Sequence, residues 1–237
     1  MKPVIHSRNQ HTIVYDADRI PEPEHRLFDP AYWQEKGAIK GQVAGRGDTL
    51  FLNTSFGPAV LRHYLRGGWA AKFSKDRYCY LGIKRSRPFK EFEILRKMSA
   101  LGLPVPVPLA ALLERRRLSY RGVLLMQQIE DVKPLGAYLG QLSGDSRVWA
   151  DSGNCIRQFH DSGVNHVDLN ANNLLVNPES GKIYLIDFDR CSISPGSIKA
   201  GGSNLARLKR SLIKLWPDHS SVSVDKCWAT LMDGYRG

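Results

Sequence analysis

The most informative segment of the chain reads HVDLNANNLLV at His166–Val176, and IDFD follows it at Ile186–Asp189. Two short apolar runs, Leu174–Val176 and Ile183–Ile186, are joined by a segment that contains Asn-Pro-Glu-Ser-Gly. Because proline, glycine and small polar residues between apolar runs are typical of a tight turn, the segment predicts a β-hairpin. Polar residues that precede the first strand should therefore lie beside those that follow the second.

Three polar residues occupy that end of the predicted hairpin, namely Asp168, Asn173 and Asp187. Phosphoryl transfer needs one carboxylate that accepts a proton from the attacking hydroxyl, and an amide and a second carboxylate suit magnesium on the nucleotide phosphates. Each residue alone is also typical of a turn, in which Asp and Asn side chains bind backbone groups. The ordered set beside an apolar hairpin favours a catalytic site.

These residues resemble the protein-kinase-like pattern HxDxxxxN followed by DF(G/D). The resemblance implies that Asp168 is the general base, that Asn173 and Asp187 bind the metal, and that His166 has a structural role in the loop. It also implies ATP and Mg²⁺ as cofactors. Asp189 stands where protein kinases usually have glycine, which leaves a direct metal role for Asp189 open.

Short strand-like runs before residue 128 predict a small antiparallel sheet. The runs are Thr12–Tyr15, Ile39–Val43, Thr49–Asn53, Ala59–Leu65 and Leu118–Met126. Phe89–Ala100 is predicted as a helix, and Asp29-Pro30 is typical of the start of a short one. We predict an α+β, bilobal protein-kinase-like fold, with a nucleotide-covering N-lobe at 1–128 and a mainly helical C-lobe at 129–237.

The spacing of apolar residues predicts a buried helix over Arg147–His160, and Leu205–Trp216 reads as a basic helical run. In contrast, Gln127–Gly144 is rich in glycine and contains a proline. That composition predicts a connection between lobes rather than a core element. The residues after Trp216 show no clear pattern.

The N-lobe should contribute groups that contact the nucleotide phosphates. Gly45, Arg46 and Gly47 lie between two strand-like runs, where glycine lets backbone N–H groups approach phosphate, although an ordinary hairpin turn explains the same glycines. Arg62 overlays the lysine of the VAIK run of the resembled kinases. Arginine binds phosphate bidentately, but it is not geometrically equivalent to lysine.

Helical geometry separates two glutamates of the predicted helix. The neighbours of Glu91 at i+3, i+4 and i+7 are all apolar, whereas Glu93 has basic neighbours at i+3 and i+4. Glu91 should therefore face inward. Since burial of an unpaired carboxylate is costly, we expect Glu91 to pair with Arg62, and we expect Glu93 to form a surface ion pair.

The 237 residues are 42% hydrophobic and 24% charged with a net charge of +11, a composition that excludes a disordered chain. No apolar run reaches the roughly 18 to 20 residues needed to cross a bilayer, and the polar N-terminus is unlike a secretory signal. Between Arg62 and Lys90 lie nine basic residues and one acid, with aromatic residues among them. This segment suits an anionic membrane surface or RNA, and a solvated basic loop is the alternative.

The chain as a whole resembles the 3-deoxy-D-manno-octulosonic acid (Kdo) kinase family, a lipopolysaccharide kinase family of the protein-kinase-like superfamily. The resemblance rests on the blocks FDPAYW, GRGDTLFL, VLRHYLRGG, KDRY, EFEIL, GLPVPVPLAA, HVDLNANNLL and IDFDR. It implies transfer of the γ-phosphoryl group of ATP to the 4-hydroxyl of Kdo on a lipid A precursor. The implied location is the cytoplasmic face of the bacterial inner membrane, with the anionic glycolipid and the anionic membrane surface as partners and no nucleic acid.

Two other functions are also compatible with the sequence. A kinase of a soluble alcohol, such as an aminoglycoside or a choline-type substrate, shares the same catalytic pattern. The excess of basic charge argues against it, because a pocket for a cationic substrate is expected to be acidic. A nucleic-acid-binding module would use the basic aromatic segment, but RNA binding requires neither a base nor metal ligands.

Overall fold

The computed structural model describes residues 1–43, 49–65, 76–142, 146–194, 201–218 and 222–237. The chain divides into two compact units. The first comprises Met1–Lys97 and Pro106–Gln128, and the second comprises Met98–Val105 and Ile129–Gly237. The division is therefore not contiguous, unlike the one expected from the sequence. Residues 98–105 belong with the second unit, where the N–H of Leu185 donates to the carbonyl of Pro104 at 3.0 Å.

The first unit is built on one antiparallel sheet with the strand order β1-β2-β7-β8-β5-β4-β3, and β6 also pairs with β8. Its strands are β1 (Pro3–Arg8), β2 (His11–Asp16), β3 (Ile39–Val43), β4 (Thr49–Thr54), β5 (Gly57–His63), β6 (Tyr78–Cys79), β7 (Pro108–Arg116) and β8 (Ser119–Gln127). Its helices are α1 (Pro30–Glu35) and α2 (Arg87–Ala100), whose last turn belongs to the second unit.

Side-chain alternation explains how the sheet forms its core. In β4 the buried residues are Leu50 and Leu52, and in β5 they are Ala59 and Leu61. The period of two directs these side chains to one face of the sheet, where they pack with Trp33 of α1. The carboxylate of Asp29 accepts from the N–H of Ala31 at 2.9 Å, so α1 begins as its sequence predicts.

Three strands of this sheet were not predicted from the sequence, namely β1, β7 and the two-residue strand β6. β1 is an exposed edge strand, and its side chains show no apolar alternation. β7 lies between β2 and β8, and all five residues of 109–113 are buried. A strand that is covered on both faces has a continuous apolar run instead of an alternating one, so its periodicity resembles that of a buried helix segment.

The second unit is mainly helical and carries short paired strands. Its helices are α3 (Leu135–Leu142), α4 (Ser146–Asp161), α5 (Gly201–Leu215) and α6 (Val224–Arg236). Its strands are β9 (Lys133–Pro134), β10 (Val164–Asn165), β11 (Leu174–Val176), β12 (Ile183–Leu185) and β13 (Ser192–Ile193). The predicted hairpin is present as β11 and β12, which pair antiparallel, and β10 pairs with β13.

The interpretation of Gln127–Gly144 as a connection is wrong. The segment contains β9, which extends the hairpin sheet through β11, and the helix α3. Leu135 is 0% exposed and Leu139 is 1% exposed, so α3 contributes to the core despite its glycines. The N–H of Gly136 donates to the carbonyl of Ala171 at 2.9 Å, which fixes α3 against the segment before β11.

Two glycines allow α4 and α6 to pack backbone against backbone. A Cβ atom on Gly153 would lie 1.9 Å from the carbonyl oxygen of Leu231, and one on Gly234 would lie 2.1 Å from that of Ala150. Only glycine fits at this separation, since any larger residue would push the helices apart. The partner in this contact is α6, which lies in the part of the chain after Trp216 where no clear sequence pattern was found.

Candidate active site

The hairpin brings two of the predicted site residues together. Leu174 pairs with Leu185, and the N–H of Ile186 donates to the carbonyl of Asn173 at 3.0 Å. Asp187 follows Ile186 directly, so the chain places Asn173 and Asp187 at the same end of the hairpin. This is the juxtaposition that the sequence predicted from the turn between the two apolar runs.

The side chain of Asn173 connects the end of the loop to Asp168 near its beginning. Its side-chain Nδ2 donates to the carbonyl oxygen of Asp168 at 2.9 Å, and Nδ2 of Asn170 donates to the same oxygen at 2.9 Å. Asn173 is only 9% exposed. Because the amide nitrogen is used inside the loop, the amide oxygen of Asn173 is the atom that remains for a cation or another donor.

His166 supports the loop from below and has no catalytic geometry. Its ring is 1% exposed, lies 4.9 Å from the ring of Phe188, and places Nε2 3.0 Å from the carbonyl oxygen of Ile186. Nε2 must carry the proton, because a carbonyl only accepts. Burial lowers the pKa of His166, so the imidazole is neutral at pH 7. The buried Nδ1 has no hydrogen-bond partner among the residues that the structure describes.

Asn204 of α5 connects this loop to three other elements. Its Oδ1 accepts from the backbone N–H of His166 at 3.0 Å, and its Nδ2 donates to Oδ1 of Asn165 at 3.0 Å. The same Oδ1 lies 3.2 Å from Nε2 of His160, whose Nδ1 lies 2.9 Å from the hydroxyl of Tyr235. Burial lowers the pKa of His160, which therefore takes part as a neutral ring.

Sequence reasoning missed Asn204, although a signal for it exists. Asn204, Leu208 and Leu212 are spaced by four residues, and all three are buried on one face of α5. A single amide within such an apolar stripe must find hydrogen-bond partners, because an unpaired buried polar group is costly. The spacing could have marked Asn204 as part of a polar network, but not its partners.

Asp187 adopts a left-handed backbone conformation with φ of 64°. Asp and Asn tolerate this region better than most residues, and non-glycine residues there are frequent at functional sites. The next residue, Phe188, is 0% exposed and stacks on Phe159 of α4 with ring centroids 5.9 Å apart. The buried phenylalanine anchors the segment that carries the Asp187 carboxylate.

The carboxylate of Asp168 stays accessible, with 47% of the side chain exposed. Its Oδ1 lies 3.2 Å from Nη1 of Arg207 on α5, and the Arg207 side chain is 49% exposed. The basic run of α5 is visible in the sequence, but no role for Arg207 was predicted from it. This contact joins residues 39 positions apart in the chain.

The first unit contains the ion pair that the helical geometry predicted. Glu91 of α2 is 2% exposed and forms a salt bridge with Nη2 of Arg62 on β5. The hydroxyl of Tyr64 donates to the same carboxylate at 2.5 Å, and burial together with Glu91 raises the pKa of Tyr64 well above its ordinary value. Glu93 forms the expected surface pair with Arg96, at 2.9 Å. Tyr64 was missed, although it lies on the same side of the chain as Arg62.

Other predicted contacts lie outside the described residues. Gly45, Arg46 and Gly47 fall in the gap at 44–48, and residues 66–75 of the basic aromatic segment are also not described. Of the described part, Arg77 donates to Ser119 at 3.3 Å and Arg87 donates to the hydroxyl of Tyr78 at 2.6 Å.

The donor set of the second unit fits a hard divalent cation. Asp187 offers a carboxylate, and Asn173 offers an amide oxygen that its own hydrogen bond to Asp168 leaves available. Oxygen ligands of this kind suit Mg²⁺, whereas the soft cysteine ligands preferred by zinc are absent from this loop. The two residues therefore suit the metal that accompanies a nucleotide triphosphate.

The fold and the loop define the class of the protein. The model of the lipopolysaccharide kinase (Kdo/WaaP) family matches residues 30–235, so the chain belongs to that family and is a kinase. The resemblance stated from the sequence is thereby confirmed.

Curated relatives match over almost the entire chain. The chain is 41% identical to a 3-deoxy-D-manno-octulosonic acid kinase of Stenotrophomonas maltophilia (strain R551-3). The alignment covers 99% of this chain and 93% of the relative. The chain is 40% identical to the 3-deoxy-D-manno-octulosonic acid kinase of Xanthomonas axonopodis pv. citri (strain 306), over 100% of this chain and 94% of the relative.

A solved structure supports the fold independently. The structure of WaaP in complex with acyl carrier protein aligns with a TM-score of 0.58 at 12% identity, over 91% of this chain and 86% of the other. The predicted protein-kinase-like fold is confirmed. Among the helices that the structure describes, none combines the length and hydrophobicity that a membrane span requires.

Proposed function

We propose that this kinase transfers the γ-phosphoryl group of ATP to the 4-hydroxyl of a Kdo residue on a lipid A precursor. The observation that carries the proposal is the hydrogen-bonded loop in which Asn173 holds Asp168 and pairs with Ile186, next to Asp187. This loop occurs in a chain of the lipopolysaccharide kinase family, and its curated relatives are named as kinases of this sugar acid. The reaction belongs to lipopolysaccharide core biosynthesis.

Asp168 is the general base of the proposed reaction. Its carboxylate accepts the proton of the acceptor hydroxyl while the oxygen of that hydroxyl forms a bond to the γ-phosphorus. The bond between the γ-phosphorus and the bridging oxygen breaks, and ADP leaves with that oxygen. The 47% exposure of the Asp168 side chain supports this role, because a base must be reached by its substrate.

Asn173 and Asp187 are the proposed magnesium ligands. When bound, the ion neutralises charge on the nucleotide phosphates. The chain contributes the positions of the two oxygen donors. The backbone hydrogen bond from Ile186 to Asn173 fixes one donor, and the buried ring of Phe188 anchors the segment that carries the other.

In the first unit, Arg62 is the proposed phosphate contact, and Glu91 is its positioning residue. Glu91 accepts from both Arg62 and Tyr64, so the guanidinium is held from one side. A planar guanidinium suits phosphate, because it can bind two phosphate oxygens at once. We assign Gly45, Arg46 and Gly47 to the phosphate cover on the basis of the sequence alone.

We further propose that the enzyme acts as a peripheral protein at the cytoplasmic face of the inner membrane. The support is the basic aromatic segment from Arg66 to Arg87, together with the exposed side chains of Leu81, Lys84 and Arg85 in its described part. Each cation near an anionic leaflet contributes about 1 kcal/mol, and the attraction weakens as salt rises.

The reaction is tested with ATP labelled at the γ-phosphate, a Kdo-bearing lipid A precursor and magnesium. We expect label on the glycolipid, and we expect NMR of the product to place the phosphate at the 4-position of the sugar acid. A parallel reaction with EDTA should give no transfer. Label on choline or an aminoglycoside, with none on the glycolipid, would identify a soluble-alcohol kinase instead.

Membrane association is tested by co-sedimentation with vesicles of neutral and of anionic lipid at low and high salt. We expect binding to anionic vesicles that fades at high salt. Replacement of Lys72, Lys75 and Arg77 with Gln should raise the apparent KM for the lipid-borne acceptor far more than the KM for ATP. Equal binding to both kinds of vesicle, with an unchanged acceptor KM, would show that this segment is a solvated surface.

A further inference from the structure

Arg207 is the cation beside the proposed base, and it belongs to a face of α5 that has no assigned role. Nη1 of Arg207 lies 3.2 Å from Oδ1 of Asp168, and both side chains are about half exposed. An ion pair this exposed contributes little to folding, because water and salt screen it. The Arg207 guanidinium therefore has little role in folding, and its exposed position makes it accessible to a ligand.

The exposed face of α5 carries three basic residues between Arg207 and Lys214. Arg207, Arg210 and Lys214 follow the helical spacing i, i+3 and i+7, and all three are exposed. Lys209 lies on a different face, where it pairs with Asp225 of α6 at 3.0 Å. The opposite stripe, with Leu208 among its buried residues, packs into the unit, so the direction of the basic face is fixed.

Arg210 has no acidic partner among the residues that the structure describes, and Arg207 has only Asp168. Arg207 uses one N–H toward Asp168, and a guanidinium has five. The remaining N–H groups are available for a second anion. A planar guanidinium binds a carboxylate bidentately, which fixes orientation as well as distance.

The proposed acceptor creates a specific electrostatic problem at this position. A sugar acid carries a carboxylate that is ionised at pH 7, and it must bring its hydroxyl to the anionic carboxylate of Asp168. The two like charges repel each other unless a cation lies between or beside them. Arg207 is in contact with Asp168 and exposed to solvent, which satisfies that requirement.

We propose that Arg207 and Arg210 form an anion-binding subsite on α5 that holds the carboxylate of a sugar-acid acceptor while its hydroxyl lies at Asp168. The inference rests on the proposed function and adds how the acceptor is recognised. Arg207 is thus a specificity-determining residue, since it contacts both the base and the acceptor's acid group. A neutral sugar of the same shape lacks the group that this subsite binds.

The test combines a change in the substrate with a change in the enzyme. The acceptors are the Kdo-bearing lipid A precursor and its analogue in which the Kdo carboxylate is converted to a carboxamide. With the wild-type enzyme, we expect the carboxamide to lower kcat/KM for the acceptor by about 10- to 100-fold, as for the loss of a charge-assisted hydrogen-bond pair. This comparison needs no variant, so it does not depend on the folding of one.

The enzyme variants then locate the subsite. Arg207→Gln should lower kcat/KM for the carboxylate acceptor by a similar factor, and the carboxamide should cause little further loss. Arg207→Lys should restore part of the discrimination, since it keeps the charge without the planar fork. The KM for ATP serves as the second readout and should change less than about twofold. Lys209→Gln, a cation of the same helix that faces α6, is the matched control and should discriminate as the wild type does.

The outcomes separate the subsite from the proposed function. If the wild-type enzyme phosphorylates neither acceptor, the proposed function fails and the subsite fails with it. If the enzyme phosphorylates both acceptors equally well, the proposed function stands and the subsite is overturned. The subsite would also be overturned if the loss in kcat/KM from Arg207→Gln and the loss from the carboxamide multiply when the two changes are combined. Independent effects of this kind would show that Arg207 acts only on Asp168.

Discussion

Glu91 and Asp168 are two carboxylates that each contact an arginine, and their surroundings differ. Glu91 is 2% exposed and accepts from Arg62 and Tyr64, whereas the Asp168 side chain is 47% exposed and contacts Arg207 alone among the described residues. Loss of a buried carboxylate leaves its cation uncompensated, so the first contact is needed for structure. The second contributes little to stability and keeps its carboxylate within reach of a substrate.

The two sites also differ in how the chain fixes them. Glu91 is held by its position on the inner face of α2, a regular element that the sequence specifies locally. Asp168 is held by loop hydrogen bonds to its backbone carbonyl from Asn170 and Asn173, which leave the side chain outside the network. A loop can thus present a reactive group that is fixed in position but not consumed by its own anchors.

The largest effect should come from the exposed carboxylate. Asp168→Ala should lower kcat by about 10² to 10⁴-fold, since the positioned base is lost, while the backbone carbonyl that anchors the loop remains. Stability against urea and nucleotide binding should stay close to those of the wild type. The matched control is Glu179→Ala, which removes an exposed carboxylate from the turn of the same hairpin. A near wild-type kcat in Asp168→Ala would contradict the assignment of the base.

The second prediction concerns the other carboxylate of the loop. Asp187→Asn should abolish activity and weaken the magnesium-dependent part of ATP binding, because an anionic oxygen ligand is replaced by a neutral one. Asn tolerates the left-handed conformation at this position, so the backbone should be preserved. Isothermal titration with and without magnesium measures the effect. ATP binding that ignores magnesium in both proteins would refute the metal assignment.

The effect of the buried carboxylate of Glu91 should appear in the stability of the protein. Glu91→Gln should lower the free energy of unfolding by about 3 kcal/mol, because Arg62 loses its counter-charge in a largely buried position. Glu93→Gln, two residues away on the same helix, should cost less than about 1 kcal/mol, since its pair with Arg96 is exposed. Urea denaturation of both variants makes the comparison, and equal losses would show that burial does not distinguish the two pairs.

A smaller effect is expected from the neutral imidazoles under the Asp168 loop. Burial lowers the pKa of His160 and His166 below the unfolded value of 6.5, so the unfolded state binds more protons as the pH falls. The two histidines therefore make their full contribution to the free energy of unfolding above pH 6.5. That contribution is lost as the pH falls toward the folded-state pKa values. Urea midpoints at pH 7.5, 6.5 and 5.5 should record this decline.

His160→Gln should make the urea midpoint less dependent on pH in that range, because one of the two buried rings can no longer take up a proton. His6→Gln, which changes an exposed histidine of β1, is the control and should leave the pH dependence unchanged. A wild-type midpoint that does not fall between pH 6.5 and 5.5 would contradict the role of the buried neutral rings.

The sequence by itself determined the local features. The hairpin follows from apolar runs around a turn, and the order of Asp168, Asn173 and Asp187 follows from their places at its ends. The inward direction of Glu91 follows from the period of its helix, and its cationic partner follows from the cost of an unpaired buried charge. The hairpin and the direction of Glu91 depend on periodicity or on neighbours within a few residues, which is the range over which sequence patterns carry structural information. The pairing with Arg62, 29 residues away, was predicted instead from the cost of an unpaired buried carboxylate.

The tertiary structure alone decided which distant residues meet. Arg207 reaches Asp168, and Asn204 joins the loop to α4 and β10, only because α5 packs beneath the loop. The burial of α3 and the close contact of α4 with α6 through Gly153 were likewise invisible in the sequence. The physical reason is that helix packing depends on the shapes of two surfaces brought together across the chain, and neither surface encodes its partner in a local pattern.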